Sequence, residues 1–130
     1  MSTERIFTRM EMPGSAAESP LSLDVDVIEG VVVLRARGEI DVLTAQMFEE
    51  ALDRAASRLP GSVLIADLSE VAFLASAGLA VLVRCSDDIP DGNRFIVVAH
   101  GPTTVRPLEL TGLTEVLEVH PSVEAALSTV

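Results

Sequence analysis

Few side chains in this sequence are placed to do chemistry. The clearest is Ser76, in "FLASAGLAVLV" from Phe73 to Val83. One hydroxyl interrupts an apolar run, with Ala75 and Ala77 on either side, Gly78 next and branched aliphatics after it. A core strand would not carry Ser-Ala-Gly, and a core helix would not carry glycine in its first turn. The stretch therefore reads as a buried segment that turns sharply into a helix, with Ser76 at the turn. A serine there has two uses. It can cap the helix, its oxygen accepting from first-turn amides. It can also serve as a switch, since a helix N-terminus tolerates added negative charge. Asp41 stands before another helical stretch and reads as an N-cap.

The remaining candidates are assigned no chemistry. His100, His120 and Cys85 do not make a closed zinc site. The chain has no lysine, so it has no glycine-rich phosphate loop ending in Lys, and Ser76 is not in a Gly-x-Ser-x-Gly turn. No catalytic residue, metal or cofactor is assigned, and the chain reads as a non-enzyme. Cys85 is the single cysteine, which excludes an internal disulfide. Followed by Ser86 and Asp87 on a helical stretch, it reads as a small core residue or half-exposed thiol rather than a redox sensor.

The elements that must position Ser76 and Asp41 fit one domain of 130 residues. With 48% hydrophobic but only 3% aromatic residues, the core has to be built from Val, Leu, Ile and Ala. The formal charge is −11 and every basic residue is Arg. Such a field repels nucleic acid and anionic membranes, which argues against direct binding to either, and it suits a basic partner or plain solubility. No apolar run is long enough to cross a bilayer. Arg5 and Arg9 alternate with Glu4 and Glu11, with no apolar stretch after them to serve as a signal peptide, so a cytoplasmic protein is expected.

Residues 1–20 sustain no period and are expected to be a flexible tail ahead of a domain over 21–130. In "LSLDVDVI", Leu21, Leu23, Val25 and Val27 alternate with polar residues, the period of a half-buried strand. Glu29-Gly30 turn the chain back into "VVVLRAR", completing a hairpin. After Gly38 the period lengthens. Leu43, Met47, Ala51, Ala55 and Leu59 recur every fourth residue beside Phe48 and Leu52, an amphipathic helix ended by Pro60-Gly61. "SVLIADL" predicts a central strand buried on both faces, feeding the Ser76 turn and a helix from about Ala77 to Asp88. "RFIVVA" predicts another buried strand. "PTTVRPLELTG" predicts a helix with Pro102 at its first position, shortened by Pro107. "LTEVLEVH" is the last strand and "PSVEAALSTV" a short helix from Pro121. The order β-β-α-β-α-β-α-β-α predicts an α/β domain with a mixed, mostly parallel sheet of about five strands and helices packed on it. In such sheets partners and ligands sit at the carboxyl ends of the strands, where Ser76 falls.

Three segments, in this order and at these distances, resemble the bacterial anti-sigma-factor antagonists of the STAS domain family. They are "GEIDVLTAQMFEEAL" from Gly38, "VLIADLSEVAFLASAGLAVLV" from Val63, and "LELTGLTEVLEV" from Leu108. The family has, in turn, Gly-Glu-(Leu/Ile)-Asp before its first helix; a buried strand, Asp-Leu-Ser, an aromatic residue and Asp-Ser-(Ser/Thr)-Gly-Leu-Gly; and a closing Ser/Thr-Gly-Leu before its last strand. The resemblance covers about residues 21–128. It implies a STAS-like single domain and a monomeric, cytoplasmic regulator of transcription without catalysis. Its partner would be an anti-sigma factor of the serine-kinase type, whose capture frees a sigma factor. In the family that kinase phosphorylates the serine directly after the motif's Asp, which blocks binding. By position the phosphoacceptor is Ser76, while Ala75 stands in place of the Asp and Ala77 in place of the second hydroxyl. Glu39 and Asp41 match the family's acidic pair on the partner surface. Ala75, Ala77, Gly78 and Leu79 are expected to complete that surface, the small residues allowing close approach. Other readings are a structural STAS subunit of an ABC-type membrane transport assembly, a constitutive binding module that is not phosphorylated, and a small-molecule sensor using a cleft beside Ser76.

Overall fold

The computed structural model describes residues 8–10, 20–57 and 63–130. The strands are β1 (Thr8–Met10), β2 (Leu21–Ile28), β3 (Val31–Ile40), β4 (Val63–Leu74), β5 (Arg94–Val98) and β6 (Glu118–His120). The helices are α1 (Ala45–Ser57), α2 (Ser76–Asp88), α3 (Val105–Leu110) and α4 (Val123–Leu127), with a 3-10 turn at Leu113–Glu115. The strands lie side by side in the order β1-β2-β3-β4-β5-β6. β2 is antiparallel to β1 and β3, while β3/β4, β4/β5 and β5/β6 are parallel. The five expected strands and four helices are present in the expected order. Thr8–Met10 add an edge strand inside the stretch expected to be a tail. The rest of that stretch, Leu59 and the helix stop at Pro60-Gly61 lie outside the described residues.

Both faces of the central strands are covered. Leu34, Ala36 and Ile40 of β3 and Leu64, Leu68 and Leu74 of β4 share one core with Phe48 and Leu52 of α1, Leu79 and Leu82 of α2, and Leu108 of α3. Val31, Val33, Ile65, Ile96 and Val98 form a second, smaller core under Val123, Ala126 and Leu127 of α4. Ser122 holds that short helix in place as its N-cap, accepting from the Ala125 amide at 3.0 Å. Val63 to Leu68 are all buried, as expected of a strand sandwiched between helical layers.

Three local departures have physical causes. Asp26, on the polar side of the β2 alternation, is buried, and Arg35 of β3 reaches it at 3.4 Å and Asp67 of β4 at 3.5 Å. Charges this deep persist only when paired. Secondly, β4 slips against β3, since Arg35 pairs with Asp67 but Arg37 with Glu70. Asp67 Oδ1 accepts from the Ser69 amide at 3.0 Å and also from its hydroxyl, supporting the bulge, so Leu68 and Val71 both face the helices. Lastly, only Glu118–His120 of the expected last strand pair with β5. Gly112, left-handed at φ 76°, ends α3 and opens the 3-10 turn instead.

Candidate functional site

The parallel pair β3/β4 delivers the two motif turns to one place. Glu39 is in register with Phe73 and Ile40 with Leu74, and the Ala75 amide donates to the Ile40 carbonyl at 2.8 Å. Asp41 and Ser76 therefore leave the sheet from neighbouring strand ends. Gly38 makes the approach of β2 possible. Its φ is +112°, and a Cβ there would lie 2.0 Å from the Pro20 carbonyl oxygen. That oxygen accepts from the Glu39 amide at 2.9 Å, which sets the exposed Glu39 at the rim.

Asp41 is a helix cap. Its Oδ1 accepts from the amides of Leu43 at 2.9 Å and Thr44 at 3.1 Å, and its own amide donates to Thr44 Oγ1 at 2.9 Å. This reciprocal pair is a capping box with threonine as the second member. Thr44 is buried in consequence, and its hydroxyl hydrogen is shared between the Glu39 carbonyl and Asp41 Oδ1.

Ser76 is not the cap expected at the second turn. Ala75 holds the N-cap position with extended φ −87° and ψ 170°, its carbonyl accepts from Gly78 and Leu79, and no side chain caps the helix. Ser76 is the first helical residue and is exposed. The boundary is one residue earlier than a serine cap would require, because the Ala75 amide is drawn back to Ile40. The hydroxyl is thus left out of the cap, facing outward at a helix N-terminus.

Two other expected surface residues point inward. A Cβ on Gly78 would lie 2.6 Å from Ile40 Cγ2 and 2.8 Å from Leu74 Cδ1, so the missing side chain seats α2 on the sheet. Leu79 is only 7% exposed and packs in the main core. The face around Ser76 is left with half-buried Ala75 and Ala77, then Glu39 and Asp41.

The same end of the sheet shows residues that sequence reasoning missed. Val42, Leu43 and Phe73 are all exposed. Leu43 was expected in the buried stripe of α1, but it lies in the turn before that helix. The observed stripe is Ala45, Phe48, Ala51, Leu52 and Ala55. On a 3.6-residue period Leu43 sits about 140° from Phe48, which was the available signal.

Behind this face Arg84 of α2 grips Glu49 of α1 through Nε at 2.7 Å and Nη2 at 3.1 Å. Its hydrogen bonds hold the Glu49 carboxyl below the usual range, and that carboxylate in turn raises the Arg84 guanidinium. Cys85 is buried, and burial, then Asp53, Asp88 and Glu49, push its thiol up to about 12. It is a core residue, with no thiolate available at neutral pH.

The family model of the STAS domain matches residues 22–126. The chain belongs to the STAS domain family. It is 40% identical over 112 residues to the anti-sigma-F factor antagonist RsfB of Mycobacterium tuberculosis, covering 85% of this chain and 91% of that one. The crystal structure of an anti-sigma factor antagonist from Mycobacterium paratuberculosis superposes with a TM-score of 0.81 at 36% identity, covering 93% of this chain and 98% of that one. The unphosphorylated form of the anti-sigma factor antagonist SpoIIAA shares the fold at 18% identity, with a TM-score of 0.60 over 95% of each chain. These STAS relatives are named as antagonists of anti-sigma factors. No helix among the described residues of this STAS chain is long and apolar enough to cross a membrane.

Proposed function

We propose that this protein is a cytoplasmic anti-sigma-factor antagonist without catalysis of its own. As a monomer it binds an anti-sigma factor of the serine-kinase type through residues 21–130 and so frees a sigma factor. The observation that carries this reading is the 40% identity, across 91% of its length, to a relative named as an anti-sigma-F factor antagonist. The docking face is the end of β3 and β4, with Glu39, Asp41, Ala75, Ser76 and Ala77. Gly78 and Leu79 contribute from beneath by holding α2 in position. Phosphorylation of Ser76 is the off-switch, and its exposure and freedom from capping support this. A phosphate at the first residue of α2 is tolerated by the fold, because the helix dipole favours it, and is costly to a partner that must desolvate it.

The test is binding of purified wild type, Ser76→Ala and Ser76→Glu to the anti-sigma factors of the source organism. Ser76→Ala is expected to bind like wild type and to melt within about 0.5 kcal/mol of it, since no cap is lost. Ser76→Glu is expected to bind much more weakly. Equal binding by all three proteins would refute the switch. Ala75 in place of the motif's Asp favours a second reading, a constitutive module that its kinase no longer modifies. Mass spectrometry of the protein after incubation with the kinase and ATP separates the two, since only the switch yields phospho-Ser76.

A further inference from the structure

We infer that Val42, Leu43 and Phe73 are the apolar anchor of the docking face, and that the partner's matching site is an apolar pocket rimmed by basic side chains. On this view the anchor supplies affinity and Ser76 supplies regulation. The inference rests on the anti-sigma-factor reading above.

Val42 is 78% exposed, Leu43 85% and Phe73 52%, three of the six large hydrophobic residues exposed among those described. Single exposed aliphatics are ordinary, whereas apolar groups gathered inside a polar rim mark protein contacts. These three are gathered. Phe73 pairs with Glu39 at the end of β4, and Val42 and Leu43 follow Asp41 where β3 ends beside it. Nothing local requires them to be apolar. The capping box is closed by Asp41 and Thr44, using only the backbone of Leu43. Phe73 is one of only four aromatic residues in the chain, all phenylalanine, and Phe48 and Phe95 are buried. A domain this poor in aromatics leaves Phe73 half exposed, three residues before Ser76.

The rim identifies the partner's chemistry. Glu39 and Asp41 border the patch and the chain carries −11 overall, while Glu70, two ladder pairs back, is already matched by Arg37 at 3.2 Å. Interfaces pair an apolar centre with a complementary charged rim, the centre giving affinity and the rim giving encounter rate and register. A basic-rimmed apolar pocket is the complement of this face. A phosphate on Ser76 would sit at the edge of the apolar contact, so one modification could oppose binding that other residues provide.

Isothermal titration of the full chain against each purified anti-sigma factor of the source organism tests this. The variants are Leu43→Ser, Val42→Ser/Leu43→Ser and Phe73→Ser, with circular dichroism melts as the folding control. Leu43→Ser and Phe73→Ser are each expected to weaken binding roughly tenfold to a hundredfold, and the double variant further, with melting unchanged except for a modest drop in Phe73→Ser, whose ring is half covered. Variants that bind within about twofold of wild type overturn the inference and leave the antagonist reading intact. Failure of wild type to bind any anti-sigma factor overturns that reading, and the inference with it. A wild-type dimer in light scattering that the double variant loses assigns the patch to a second copy and also overturns the inference.

Discussion

Gly78→Ala places one methyl where α2 rests on the sheet, and its consequence can be worked from the geometry. The new Cβ would meet Ile40 Cγ2 at 2.6 Å and Leu74 Cδ1 at 2.8 Å. Leu74 can swing its terminal methyl aside. Ile40 cannot do so cheaply, because Cγ2 hangs directly on a β-branched carbon in a fully buried strand residue. Overpacking of this kind costs about 1–3 kcal/mol. Alanine returns up to about 1 kcal/mol of helix propensity. With the full propensity gain returned, the net expectation is a loss of about 0–2 kcal/mol, read as a lower urea midpoint at unchanged slope. A double-mutant cycle isolates the clash. Ile40→Ala alone should cost about 2–5 kcal/mol through its cavity. Adding Gly78→Ala in that background should be neutral or stabilising, because the obstructing methyl is gone. If Gly78→Ala alone stabilises the protein by its full propensity gain, the close seating of α2 is refuted.

Other outcomes follow from the same geometry. Asp41→Ala should cost about 1 kcal/mol, up to about 2, while Asp41→Asn keeps the acceptor and should cost little. If Asn is as damaging as Ala in urea titration, the negative charge and not the capping bonds holds the turn. Leu79→Arg should abolish the folded circular dichroism signal, because a guanidinium cannot be buried unpaired in the main core; a folded variant that merely fails to bind would contradict this. Cys85 predicts an alkaline loss of stability. Its thiol titrates at about 12 when folded against 9.0 as the ordinary value, so the folded chain keeps a proton that the unfolded chain releases. That contribution is complete below 9.0 and is lost as pH rises towards about 12. The chain has no lysine and no tyrosine, so no other side chain should dominate this window. Denaturation midpoints between these pH values should fall less steeply in Cys85→Ala than in wild type.

Much of the site's location was legible because it depends on chain order. Alternation in "LSLDVDVI", the run "VLIADL" and the longer period after Gly38 each report a local backbone preference. Strands alternating with helices then force parallel crossovers, which is enough to bring the Asp41 and Ser76 turns to one end of a sheet. The Asp41 cap was also readable, since a capping box is made within four residues of chain.

Side-chain direction at the site was not legible in the same way. Ser76 looked like a cap, and the deciding contact comes from Ile40 on another strand, which makes Ala75 the boundary. Gly78 and Leu79 looked like surface, but Ile40 and Leu74 pack against them from β3 and β4. Leu43 fitted a four-residue spacing but lies in the turn that opens α1, about 140° round from Phe48. Asp26 looked solvent-facing until Arg35 of the adjacent strand reached it. The sequence by itself determined the kinds of element, their order and the end of the sheet that carries the motifs, because those follow from local period and connection. Only the tertiary structure decided which side chains at that end face outward, because that depends on neighbours distant along the chain competing for the same space and the same hydrogen bonds.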